Sequence, residues 1–247
     1  MFLLPEEIQH KLQVNVTVFN PLTFITAMFV HGNPEHLVSN VSVYFLVGYL
    51  SYFLNNRANR DKFFLASLLM FLFVLPLVYY PFLLFLNLQF LHLQFVSRGL
   101  SLMVSGLIGF VIPSLIIFLK QIPDLKINYL RFFLSIVFLT GSLMAFSYLM
   151  SSLYNMVVFF TLIVIGFLVG VKEVSQILRF GHGNKKNTRM VLTSFLILLV
   201  YFILLPFLFP TNIVQSSGEI VDIIAHYFGV FFGLLLPYLI GMHNYSG

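Results

Sequence analysis

The sequence contains no cysteine. Disulfides, thiolate-held iron–sulfur centres and thiolate catalysis are therefore excluded. It is also poor in charge: 9% of residues are Asp, Glu, Lys or Arg, where soluble domains average about 25%. What fills the space is apolar, with 60% hydrophobic residues, 31 Phe, 12 Tyr and a mean hydropathy of +0.98. A helix that crosses a bilayer needs about 20 mostly apolar residues. Seven stretches of the 247 qualify: 34–54, 63–81, 99–119, 131–150, 152–171, 190–209 and 219–241. The fold expected is all-α, a polytopic transmembrane bundle of about seven spanning helices in a single domain over 1–247.

The formal charge of +5 could point to nucleic acid in a soluble protein, but its distribution points elsewhere. Loop 55–62 holds Arg57, Arg60 and Lys62, loop 120–131 holds Lys120, Lys126 and Arg131, and loop 172–189 holds Lys172, Arg179, Lys185, Lys186 and Arg189. If the spans alternate, these eleven residues share one side, leaving Lys11 and Arg98 opposite. Basic loops stay cytoplasmic. The basic excess thus reads as a topology signal, with the N-terminus outside, the C-terminus inside and no nucleic-acid partner. Residues 1–20 carry Pro5, Glu6 and Glu7 and no long apolar run, so they do not read as a secretory signal peptide. The location expected is the plasma membrane of a prokaryote, multi-pass, with the lipid bilayer as surroundings.

Along the chain, 1–33 reads as an outer segment. Residues 12–19 alternate like a strand, and 21–33 read as an interfacial loop. The first span opens on Asn33-Pro34-Glu35, a capping residue, a first-turn proline and a first-turn acid. Residues 82–98 are apolar but studded with Asn87, Gln89, His92 and Gln94, and read as an outer loop or short helix dipping into the bilayer. The last span starts near Ser216-Ser-Gly-Glu219, which fits a capping box, and 242–247 form a cytoplasmic tail.

Polar side chains are costly in hydrocarbon, so those inside spans are functional candidates. His36 and Asn40 sit four apart in the first turns of one span and share a face. Ser101, Ser105 and Gly109 form a small-residue stripe in the third span, and Ala225, Gly229 and Gly233 form one in the seventh. Such stripes let helices approach closely, so these two spans are expected to pack together with His226 turned toward Ser105. The inventory suits a serine nucleophile activated by an imidazole, with donors for an oxyanion. Plainer readings stand beside it. Ser105 alone fits a serine bonded back to its own helix, His36 and Asn40 fit interfacial polar residues, and His226 fits a histidine bonded to a carbonyl. Asp222 either orients His226 or favours a helix N-terminus, and the second is preferred. A zinc site from His31, His36 and His226 lacks a familiar ligand spacing. Neither a metal nor a cofactor is expected.

Together these residues resemble the rhomboid intramembrane serine proteases. Phe24 to His31 followed by His36-Leu-Val-Ser-Asn40 is similar to that family's histidine–asparagine segment. Ser105-Gly106 is similar to the end of its Gly-x-Ser-Gly motif, and Ala225-His226-x-x-Gly229-x-x-x-Gly233 to its last-helix motif. The resemblance implies a Ser105–His226 dyad, an oxyanion hole from His36, Asn40 and the Ser105 amide, and supporting roles for His31, Gly106, Asp222, Gly229 and Gly233. It implies an endopeptidase that cuts transmembrane segments of client proteins. Met103 stands where the motif has its first glycine, and three spans separate the serine and histidine helices where the family has one. These departures motivate the alternative of a catalytically silent relative that binds clients. A transporter or channel would call for charged residues along a path or paired broken helices, and no acid or base sits centrally in any span.

Overall fold

The computed structural model describes residues 5–31, 34–92, 96–146, 153–181, 185–209 and 222–243. Among the described residues the chain is all-helical apart from two short strands. Seven helical stretches among them are long and apolar enough to cross a membrane, which marks a multi-pass membrane protein. The chain divides into two compact units, residues 1–52, 60–110 and 212–247, and residues 53–59 and 111–211.

The first unit begins with α1 (Glu6–Leu12), strand β1 (Val14–Asn15) and α2 (Pro21–Thr26) followed by a 3₁₀ turn at Ala27–Phe29. The expected interfacial loop at 21–33 is therefore largely helical. Its start has a local cause: the Asn20 side chain accepts from the Leu22 amide and Pro21 supplies a preset φ at the first position. The Thr26 hydroxyl donates to the Leu12 carbonyl and so ties α2 to α1. β1 pairs antiparallel with β2 (Val96–Ser97), Val14 opposite Ser97.

Helix α3 (Pro34–Arg57) starts at the expected proline; Asn33, the expected cap, lies outside the described residues. Next come α4 (Asp61–Leu69), a π turn at Met70–Val74, α5 (Leu75–Leu86) and a second π turn at Asn87–Leu91. Pro76 has no amide to close an ordinary turn. The chain widens before it, and the Leu75 amide reaches the Met70 carbonyl five residues back. Of the two readings of 82–98, loop or short helix, the helical one describes its first part: helical structure continues to Leu91, and β2 and the approach to the next helix follow. Asn87 reads as a loop residue in sequence, but it is buried and its amide donates to the Val16 carbonyl, so the N-terminal segment supplies the partner the apolar context lacks.

Helix α6 (Ser101–Lys120) is buried at every residue from Leu102 to Leu119. Its first half belongs to this unit, as does α10 (Ile223–His243). The expected capping box at 216–219 lies outside the described residues. α10 instead begins after Asp222, whose carboxylate accepts from the Ala225 amide at 3.1 Å. α5 meets α10 through aromatic rings, Tyr79 and Phe82 against Phe228, with Phe71 of the π turn against Phe232.

The second unit holds the end of α3, the second half of α6, and α7 (Tyr129–Phe146), α8 (Leu153–Gly181) and α9 (Lys185–Phe207). α7 and α8 run antiparallel, with Gly141 beside Leu162 and Gly166 and Gly170 beside Ser135. The Ser135 hydroxyl donates to the Gly166 carbonyl at 2.7 Å. Thr140 and Tyr201 share a buried hydrogen bond of 2.8 Å between α7 and α9, and the Asn55 amide donates to the Ser114 hydroxyl at 2.8 Å. Each of these bonds satisfies a polar group that hydrocarbon could not.

Candidate functional site

The site residues fall at the head of α6, all within the first unit. Gly99 is the pivot. Its φ of +106° lies where side chains are strained, and a Cβ there would meet His36 Cε1 at 3.3 Å and, at 3.9 Å, both Asn40 Nδ2 and His31 Cδ2. The Gly99 amide donates to the Ala27 carbonyl at 2.9 Å. A glycine two residues before the helix thus lets the chain turn against three polar side chains from α3 and the segment before it. His36 and Asn40, expected to share a face, converge here, and His31, expected only in a supporting role, joins them.

Their states differ. His31 is buried, its Nε2 accepts from the Leu100 amide at 3.4 Å, and its ring meets that of His36 edge-on at 5.7 Å. Burial, and then the neighbouring His36, push its pKa from 6.5 down to about 4. A neutral ring is what an acceptor needs. Asn40 is 9% exposed, and its amide nitrogen is buried without a hydrogen-bond partner. An orphaned buried donor costs about 1–3 kcal/mol, so its retention calls for a reason beyond stability.

The stripes of α6 and α10 meet as expected. A Cβ on Gly229 would lie 2.7 Å from Ser105 Cβ and from the Leu102 carbonyl. One turn further on, a Cβ on Gly233 would overlap the Gly106 carbonyl, and one on Gly109 would overlap the Val230 carbonyl. Higher numbers in one helix meet higher numbers in the other, so the two run parallel. On its other side Gly106 has Leu75 and Phe71, 3.0 and 3.2 Å from a Cβ placed there. His226 lies three residues before Gly229 and seven before Gly233, on the face that α10 turns toward α6. It is buried. Ser105 is fully buried, and its hydroxyl donates to the Ser101 carbonyl at 2.7 Å. The plainer expectation for this serine, back-bonding within its helix, is the arrangement found.

Asp222 takes the role preferred for it, at the helix start. Besides the Ala225 amide, its carboxylate accepts from the Tyr79 hydroxyl at 2.6 Å and the Ser97 hydroxyl at 2.8 Å. Sequence reading passed over both partners, because a tyrosine in an apolar span and a serine before a helix are ordinary until the fold sets them beside a carboxylate. Gly99 carried a signal, a glycine at the entry to an apolar span. Comparison with protein-family models, with curated proteins and with solved structures finds no match to this chain.

Proposed function

We propose that the chain is an intramembrane serine endopeptidase of rhomboid type, cutting transmembrane segments of client proteins. The observation that carries the reading is the parallel contact of α6 and α10, which sets the Gly229 backbone on Ser105 and the His226 face one turn toward the helix starts. The unpaired Asn40 amide at the same end of α6 supports it. In this scheme Ser105 Oγ leaves the Ser101 carbonyl, gives its proton to His226 and attacks the scissile carbonyl carbon. His36, the Asn40 amide and the Ser105 backbone N–H receive the oxyanion. The tetrahedral adduct collapses, His226 protonates the departing amine, and water, activated by His226, hydrolyses the acyl-enzyme. Client helices with Gly or Pro near the cut are favoured, since a helical peptide bond is shielded by its own backbone. In this reading the chain sits in a prokaryotic plasma membrane, and the basic loops favour an N-terminus outside.

A fluorophosphonate probe tests this. Purified folded protein should label, Ser105→Ala should not, and His226→Ala should label far more slowly. A second reading has its own observation. The hydroxyl of Ser105 is buried and already bonded, and Met103, where the resembling motif has a glycine, is buried too. A silent client-binding protein of the same ancestry needs nothing more of that serine. Folded wild-type protein that never labels decides for the silent reading.

A further inference from the structure

We propose that Asp222 is a positioning residue that fixes the histidine helix to the segment leading into the serine helix; the inference rests on the protease reading above. Asp222 does two separable things. Its contact with the Ala225 amide caps α10, which is local to that helix. Its contacts with Tyr79 of α5 and Ser97 of β2 are tertiary, and they tie the first residue before α10 to the rest of the unit.

Ser97 lies two residues before Gly99, which faces His36 and Asn40, and four before Ser101, whose carbonyl holds the Ser105 hydroxyl. His226 lies four residues after Asp222. One carboxylate therefore joins the base, the nucleophile and the oxyanion donors through short stretches of backbone. Its oxygens are held by Tyr79 and Ala225 at Oδ1 and by Ser97 at Oδ2, and the role assigned to it is to set the position of the backbone that carries His226. Hydrogen bonds to an ionised acceptor are the strong kind. The need for them is physical: His226 is in the second turn of its helix, where ends fray, and a general base must come within hydrogen-bond reach of its proton.

The test uses the full chain purified in detergent, with two readouts: the rate of fluorophosphonate labelling at Ser105 and amide hydrogen exchange across 223–229. Tyr79→Phe and Ser97→Ala keep the charge and the cap; the first removes one tertiary bond to the carboxylate, and the second removes the other together with the bond between Ser97 and Tyr80. Each should slow labelling about tenfold and quicken exchange at the start of α10. Asp222→Ala should slow labelling about 100-fold. Asp222→Asn keeps an acceptor for the cap and a group that Ser97 can bond, and should recover most of that loss. Faster exchange with labelling unchanged overturns the positioning role, and unchanged exchange overturns the tether itself. Wild-type protein that fails to label while Tyr79→Phe still quickens exchange overturns the protease reading and leaves the tether standing.

Discussion

Two buried polar side chains, His31 and Asn40, each make a separate expectation at the residue scale. His31 is held neutral, with its pKa near 4 in the folded chain against 6.5 for an ordinary imidazole. Unfolded protein therefore binds a proton at this group more readily than folded protein does. Its contribution is fully present above pH 6.5, shrinks as pH falls from there toward 4, and changes little below. The thermal midpoint of wild type should fall across that window more steeply than that of His31→Gln, which keeps an acceptor for the Leu100 amide and does not titrate. Equal slopes would show that another group governs acid sensitivity. Asn40 gives the second expectation. Its amide donor is orphaned, so an apolar replacement of similar size, Asn40→Leu, should stabilise the fold by about 1–3 kcal/mol while abolishing fluorophosphonate labelling. A lower melting temperature would mean that the amide is satisfied in the folded state.

Between elements, the contact of α6 with α10 is backbone on backbone, so a single methyl group is the relevant probe. Gly109→Ala places a Cβ into the Val230 carbonyl and 2.9 Å from the Leu234 nitrogen, neither of which can rotate away. The expected cost is about 3 kcal/mol or more, read as a fall in melting temperature. Gly48→Ala in α3 is the matched control. It has open space around it, and a helix-interior alanine should stabilise by about 0.5–1 kcal/mol. Were the two variants to melt together, the close approach of these helices would be wrong. This contact was legible in the sequence because small residues every fourth position have one use in lipid, to let backbones touch. The helix at 82–91 was legible only as one of two alternatives, loop or short helix. Asn87 looked too polar for an apolar helix because its partner, the Val16 carbonyl, lies far away in the chain. The Asp222 clamp was hidden for the same reason, since neither Tyr79 nor Ser97 advertises a carboxylate at its own position.

For the molecule as a whole, hydropathy carries almost all the information: the seven spans follow from the solvent, and burial in a bilayer leaves few other choices. The division into two units does not follow from hydropathy, because all seven spans are apolar alike and the split falls inside α3 and α6. The sidedness expected from the basic loops can be read directly, since the absence of cysteine makes any introduced thiol unique. In intact cells a membrane-impermeant maleimide should modify Val18→Cys and spare Asn56→Cys and Gln121→Cys, all at exposed positions. The reverse pattern would invert the topology. The wide turn at Met70–Val74 bears on how this chain tolerates change in length. A π turn is an α-helix with one residue too many, so excising one residue there leaves the flanking helices in phase, whereas the same excision in a regular stretch rotates everything beyond it by about 100°. Deleting exposed Phe73 should thus spare the pairing of Tyr79 with Asp222, and deleting Leu65 should swing that tyrosine off its carboxylate: the bulge is a spare link in the register of the membrane helix, placed a little over a turn ahead of the residue that most needs its bearing kept.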